Sequence, residues 1–194
     1  IKVLNDLNFS FAQGKIYSLV GPSGSGKSTL LNILSLIDTP TSGSIEILNN
    51  KINFKEKIKN DVIRSEKIGI IYQDKNLLSD FTALENVYLP MLLLTNDKYK
   101  SIIEAKKMIK KVGLSSRLNH YPSELSGGEN QRIAISRALI NQPEIILADE
   151  PTGNLDFNNA KQIFNLIFNL KNNNRIIIFA THNRYFANMA DCQI

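Results

Sequence analysis

Apolar residues fall into two rhythms along the chain. Residues 145–148 and 176–180 are continuous apolar runs, the pattern of strands covered on both faces of a parallel sheet. Residues 16–20 and 68–72 are short apolar stretches that also predict strands. A looser alternation of Leu4, Leu7, Phe9 and Phe11 predicts a strand with a turn, and Gln13-Gly14 marks another turn. Thr39-Pro40-Thr41-Ser42-Gly43 predicts a turn before a strand over 44–48. Helical spacing takes over between these runs. It predicts helices over 27–37, 129–140 and 158–170. From 82 to 112, Leu84, Val87, Tyr88, Met91 and Leu92 recur at helical spacing, and so do Ile102, Ile103, Met108, Ile109 and Val112. Strands alternating with helices around a helical insert predict an α/β core.

Composition narrows the class. A length of 194 residues suits one domain, and 43% hydrophobic with 21% charged residues excludes a disordered or low-complexity chain. The single cysteine, Cys192, excludes an intrachain disulfide and a cysteine-rich metal site, and a reducing compartment is expected. The longest candidate for a membrane span, 88–94, is far too short and contains Pro90. The net charge of +5 concentrates in two basic segments, 51–67 and 98–111. Interleaved Glu56, Asp61, Glu66 and Glu104 make these read as solvated helix faces. They lack the interleaved aromatics that stack single-stranded bases, so no nucleic acid is expected.

Three motifs carry chemistry. Gly21-Pro22-Ser23-Gly24-Ser25-Gly26-Lys27-Ser28 follows a predicted strand and opens a predicted helix, with Thr29 next in the chain. The glycines let backbone N–H groups turn inward around an anion, and the helix N-terminus adds positive charge. Lys27 can reach the β- and γ-phosphates of a nucleoside triphosphate, and the Ser28 hydroxyl can bind Mg²⁺. The second motif is the apolar run ending in Asp149-Glu150. Asp149 can hold Mg²⁺, and Glu150 can polarise an attacking water. The third is Leu125-Ser126-Gly127-Gly128-Glu129 at a predicted helix start. Ser126 is placed as a cap, and the glycines free further N–H groups. Without a lysine, this second anion site cannot do the work of the first.

Together these motifs closely resemble the nucleotide-binding subunits of ATP-binding-cassette (ABC) transporters, over essentially the whole chain. Residues 21–28 look like Walker A. Gln73 looks like the Q-loop glutamine, and 125–129 with Gln131 and Arg132 like the signature. Residues 145–150 look like Walker B, Gly153-Asn154-Leu155-Asp156 like the D-loop, and His182 like the switch histidine. The resemblance implies one cassette over 1–194. A RecA-like core would span about 1–80 and 143–194, and a helical signature subdomain about 81–142. The sheet would be mostly parallel, with an antiparallel N-terminal β part.

The resemblance also implies a Mg²⁺-dependent ATPase in a head-to-tail homodimer. Each ATP would lie between one chain's Walker A and the other's Ser126, Gly127, Gly128 and Glu129. Glu150, His182 and Gln73 would be catalytic, and Ser28, Gln73 and Asp149 would attend the metal. Partners would be integral membrane permease subunits, with the cassette peripheral on the cytoplasmic face of the inner membrane. Asp80 to Val87, the stretch Tyr121-Pro122-Ser123-Glu124 and residues 149–156 are similar to the lipoprotein-releasing and macrolide-exporter branch. A cell-division type regulatory cassette and a soluble ABC ATPase are the alternatives. Two departures stand out. The family's adenine-stacking aromatic has no counterpart before Gly21 except Tyr17, inside a predicted strand, so the chain is expected to be trimmed or to lack that stacking. Asn183 stands where the family often has Asp.

Overall fold

The two continuous apolar runs lie side by side, parallel and in register, with Ile145 opposite Ile176 and Asp149 opposite Ala180. The computed structural model describes residues 3–153 and 155–194. In chain order its elements are β1 (Ile16–Leu19), α1 (Lys27–Leu34), β2 (Glu46–Ile47), β3 (Asn50–Lys51), α2 (Lys57–Lys67), β4 (Ile68–Ile71) and α3 (Ala83–Thr95). Then follow α4 (Lys98–Lys111), α5 (Gly127–Leu139), β5 (Ile145–Asp149), α6 (Phe157–Phe168), β6 (Ile176–Ala180), α7 (Arg184–Ala187) and β7 (Cys192–Gln193). The fold is α/β. A five-stranded parallel sheet runs in the order β4-β5-β6-β1-β7, and β2 and β3 form a separate antiparallel pair.

Alternation along each strand builds a core on both faces of the sheet. Ile146, Ala148, Ile177 and Phe179 meet Ile135 and Leu139 of α5 and Ile163, Phe164 and Ile167 of α6. Ile145, Leu147, Ile178 and Ala180 face the other way, toward Leu31 of α1 and Ile47 and Ile52 beside the antiparallel pair. A third cluster joins Ala83 and Val87 of α3, Ala105 and Ile109 of α4, and Ile133 of α5. Helix α5 therefore serves two cores and ties the helical section to the sheet. It can lie this close to β4 because residue 69 is glycine. A Cβ there would sit 2.5 Å from the Ala138 carbonyl oxygen and 2.8 Å from Pro143 Cγ.

Several boundaries differ from the sequence pattern. Residues 4–11 form no strand. Both sides of β1 are already paired, with β6 and β7, and Phe9 and Phe11 pack edge-on against the Tyr17 ring instead. The expected antiparallel part is the β2–β3 hairpin among the described residues. The expected helix over 27–37 stops at Leu34, where Leu36 adopts a left-handed backbone. The helical stretch 82–112 is two helices. Asn96 ends α3 in the left-handed region, and Asp97 caps α4 by accepting from the Lys100 N–H. The basic segment 51–67 contains α2, whose Lys59, Arg64 and Lys67 pair with Glu56, Asp61 and Glu144. No helix among the described residues is long and apolar enough to cross a membrane.

Candidate functional site

Strands β4, β5, β6 and β1 deliver the motif residues to one edge of the sheet, since all four run parallel and each motif follows its strand. After β1 the chain turns through Gly24 and Gly26, both at positive φ (81° and 93°), into α1. A Cβ on Gly21 would meet the Ser25 hydroxyl oxygen at 2.6 Å, so the glycines leave a cradle that side chains would fill. Lys27 Nζ donates to the carbonyl oxygens of Gly21 (2.8 Å) and Pro22 (3.0 Å), which holds the ammonium over the loop. Ser28 and Thr29 occupy the first turn of α1, whose N–H groups have no intrahelical partners. Pro22 and Ser23 complete the loop, where the Ser25 N–H donates to the Pro22 carbonyl.

Asp149 ends β5. Its Oδ1 is buried and has no hydrogen-bond partner among the described residues. A buried, unpaired carboxylate oxygen beside a phosphate cradle suits a hard cation such as Mg²⁺. Glu150 follows with φ of 43°, an uncommon left-handed conformation for a residue with a side chain. The Glu150 N–H donates to the Ala180 carbonyl (3.1 Å), and its own carbonyl accepts from the Gly153 N–H (3.0 Å), which fixes that turn. Its Oε2 lies 3.0 Å from His182 Nδ1. A pocket of about 170 Å³ opens beside this pair, lined also by Gly153, Thr181, Phe157 and Phe186. Gln73 follows β4 and packs on Gly153, where a Cβ would stand 2.9 Å from Gln73 Nε2. Asn183 caps α7 through its side-chain oxygen, which accepts from the Tyr185 N–H. Aspartate would cap in the same way. Of the expected D-loop, Asn154 lies outside the described residues. Asp156 caps α6.

Ser126 caps α5 in a reciprocal box. Its Oγ accepts from the Glu129 N–H (3.3 Å), and Glu129 Oε2 accepts from the Ser126 N–H (2.8 Å). A Cβ on Gly127 would stand 3.5 Å from Leu155 Cδ2 and one on Gly128 3.2 Å from Asn159 Oδ1, so this helix start is seated against Leu155 and α6. The Ser126 backbone N–H and the Arg117 guanidinium hold the Glu129 carboxyl at a pKa of about 2. The C-terminal end of this helix packs on β4 through Ala138, while the phosphate loop follows β1, three strand positions away in the sheet. The chain thus brings Gln73, Asp149, Glu150 and His182 to the sheet edge that carries residues 21–29, and seats 126–129 against Leu155 and Asn159.

Two arginines outside the motifs brace the site. Arg117 Nε donates to Glu129 Oε1 at 2.9 Å. Arg137 on α5 donates to the carbonyl oxygens of Asn76 (2.6 Å) and Lys75 (2.7 Å), just after Gln73. Gln131 Nε2 donates to the Tyr72 carbonyl at 3.3 Å. Spacing in the sequence carries no signal for these long-range partners. Tyr17, the weak adenine candidate, is buried between Phe9 and Phe11, and its hydroxyl accepts from the Ala12 N–H.

Comparison with known proteins agrees with this geometry. The ABC transporter family matches residues 4–153. The lipoprotein-releasing system ATP-binding protein LolD of Rickettsia bellii is 46% identical over 192 residues, covering 98% of this chain and 85% of that protein. LolD of Cytophaga hutchinsonii is 42% identical, covering 100% of this chain and 89% of that protein. Among solved structures, the ATP-binding cassette MJ0796, dimeric in a post-hydrolysis state bound to ADP and Pi, superposes with a TM-score of 0.89. It is 38% identical, over 97% of this chain and 84% of that one.

Proposed function

We propose, for a chain that belongs to the ABC transporter family and hydrolyses ATP, that it is the motor subunit powering release of lipoproteins from a membrane. The observation that carries this reading is the similarity to LolD proteins over nearly the whole chain. It extends to a peripheral place on the cytoplasmic face of the inner membrane, against integral permease subunits. Within the chain, 81–142 acts as the helical subdomain and the rest as the catalytic core.

The reaction splits the bond between the β- and γ-phosphates of ATP with one water, giving ADP and phosphate. The backbone N–H groups of 21–29 and the Lys27 ammonium bind the phosphates and offset their charge. Ser28, Asp149 and Gln73 would hold Mg²⁺, which neutralises phosphate charge when bound. Glu150 accepts a proton from the attacking water. His182, 3.0 Å away, orients that carboxylate. A second copy packed head to tail supplies 126–129, a reading that the dimeric state of the similar cassette MJ0796 supports. The Ser126 hydroxyl and the Gly127 and Gly128 N–H groups then close on the γ-phosphate.

Reconstitution into vesicles with the permease subunits that co-purify with the chain tests this reading. ATP-dependent transfer of a lipoprotein from those vesicles to a soluble carrier supports it. ATP hydrolysis with no lipoprotein leaving the bilayer contradicts the cargo, though not the ATPase.

A further inference from the structure

Glu129 places a carboxylate at the helix start that is to receive a phosphate. The capping box needs it there, because its Oε2 satisfies the Ser126 N–H. The box also spares donors. Among the described residues the Ser126 oxygen is used only as an acceptor, which leaves its hydroxyl proton to donate, and the N–H groups of Gly127 and Gly128 lie in the first turn, where a helix offers them no partner. Yet a negative charge within a turn of an incoming triphosphate repels it.

We propose that Arg117 is a positioning residue of this half-site: it neutralises and orients the Glu129 carboxylate so that a nucleotide phosphate carried by a second copy can approach the start of α5. The proposal rests on the head-to-tail reading above. Arg117 takes the oxygen of Glu129 that the cap leaves open, Oε1, at 2.9 Å. Its Nη1 also lies 3.4 Å from His120 Nε2. The segment that carries it is fixed. The Arg117 N–H donates to the Leu114 carbonyl (2.9 Å), and the carbonyls of Leu118 and His120 accept from the N–H groups of Leu84 (2.9 Å) and Ala83 (2.8 Å). Asn130 Nδ2 on α5 donates to the Pro122 and Leu125 carbonyls, tying the same segment to the helix start. Arg117 is 42% exposed at its side chain, so solvent screens what the pair adds to folding stability beyond the Ser126 cap. Its effect falls on the charge met by an arriving anion.

The test uses the full-length chain carrying Glu150→Gln, so that bound ATP persists. Sedimentation velocity follows dimer formation against ATP–Mg²⁺ concentration, and a fluorescent ATP analogue reports binding to the dilute monomer. Arg117→Ala is expected to raise the ATP concentration for half-dimerisation by roughly tenfold, with monomer binding unmoved. Adding Glu129→Gln to Arg117→Ala is expected to restore dimerisation, since glutamine keeps the cap and removes the charge. Should Arg117→Ala lose its cooperative unfolding transition, Arg117→Gln carries the same test. Unchanged dimerisation in the Arg117 variant, or no rescue by Glu129→Gln, overturns the proposal alone. A parent that binds ATP and never dimerises overturns the head-to-tail reading and this proposal with it.

Discussion

His182 Nδ1 stands 3.0 Å from Glu150 Oε2, joining the ends of two neighbouring strands, β6 and β5. The histidine side chain is 72% exposed and the glutamate 16%. The carboxylate is therefore the sheltered partner, held at a left-handed turn, and the imidazole reaches it from the solvent side. Glu150→Gln is expected to keep ATP binding and to lose about 10²–10⁴-fold in turnover. His182→Ala, which removes the orienting contact and leaves the base, should lose less. Phosphate release by the purified variants measures both. Near-normal turnover in Glu150→Gln would remove Glu150 from its role.

Arg137 holds the segment after Gln73 to α5 through the carbonyl oxygens of Lys75 and Asn76. Burial pushes its guanidinium pKa down, so the group is partly desolvated as well as bonded. Arg137→Ala should cost about 2 kcal/mol, the range for hydrogen bonds made by a charged group. Arg137→Lys should not recover it, because an ammonium cannot reproduce the planar two-pronged contact. Urea unfolding measures the cost, and hydrogen exchange of residues 73–78 shows whether the loss is local.

Gly69 sets the spacing between β4 and α5. Gly69→Ala forces a methyl group against backbone at Ala138, which cannot yield without moving the helix. A loss of about 1–3 kcal/mol is expected from such overpacking, read as a lower urea midpoint. An unchanged midpoint would mean that α5 is not fixed by this contact.

Glu129 gives the acid limb a defined sign. Its carboxyl is held at about 2 in the folded chain, against an ordinary value of 4.5. The stabilisation is therefore complete above pH about 4.5 and is lost as pH falls toward about 2. Glu129→Gln should flatten this part of the stability profile by lowering the plateau above pH about 4.5, where the ionised carboxylate contributes, toward the value found near pH 2. Urea midpoints between pH 2.5 and 7 check it.

The strands over 145–149 and 176–180 were legible in the sequence because burial on both faces leaves an uninterrupted apolar run. The phosphate loop and the Asp149-Glu150 pair were legible because a fixed spacing sits at a strand end. The break at Asn96 was hidden because apolar periodicity continues across it, while the cap signals lie in three polar residues. Residues 4–11 alternate like a strand, but strand formation depends on a free sheet edge, which their own sequence does not encode. The roles of Arg117 and Arg137 depend on partners 12 to 62 residues away, so only the folded chain reveals them.

The central claim is that the two anion-binding halves act across two copies. Mixing two inactive chains tests it most directly. Lys27→Ala disables the phosphate loop and Ser126→Arg blocks the signature, so neither chain alone is expected to hydrolyse ATP. In a mixed dimer, one site pairs an intact loop with an intact signature. The mixture should regain activity that both parents lack, at roughly a quarter of the unmutated rate for random pairing and independent sites. A mixture as inactive as its parents, under conditions where mixed dimers are shown to form, contradicts the claim.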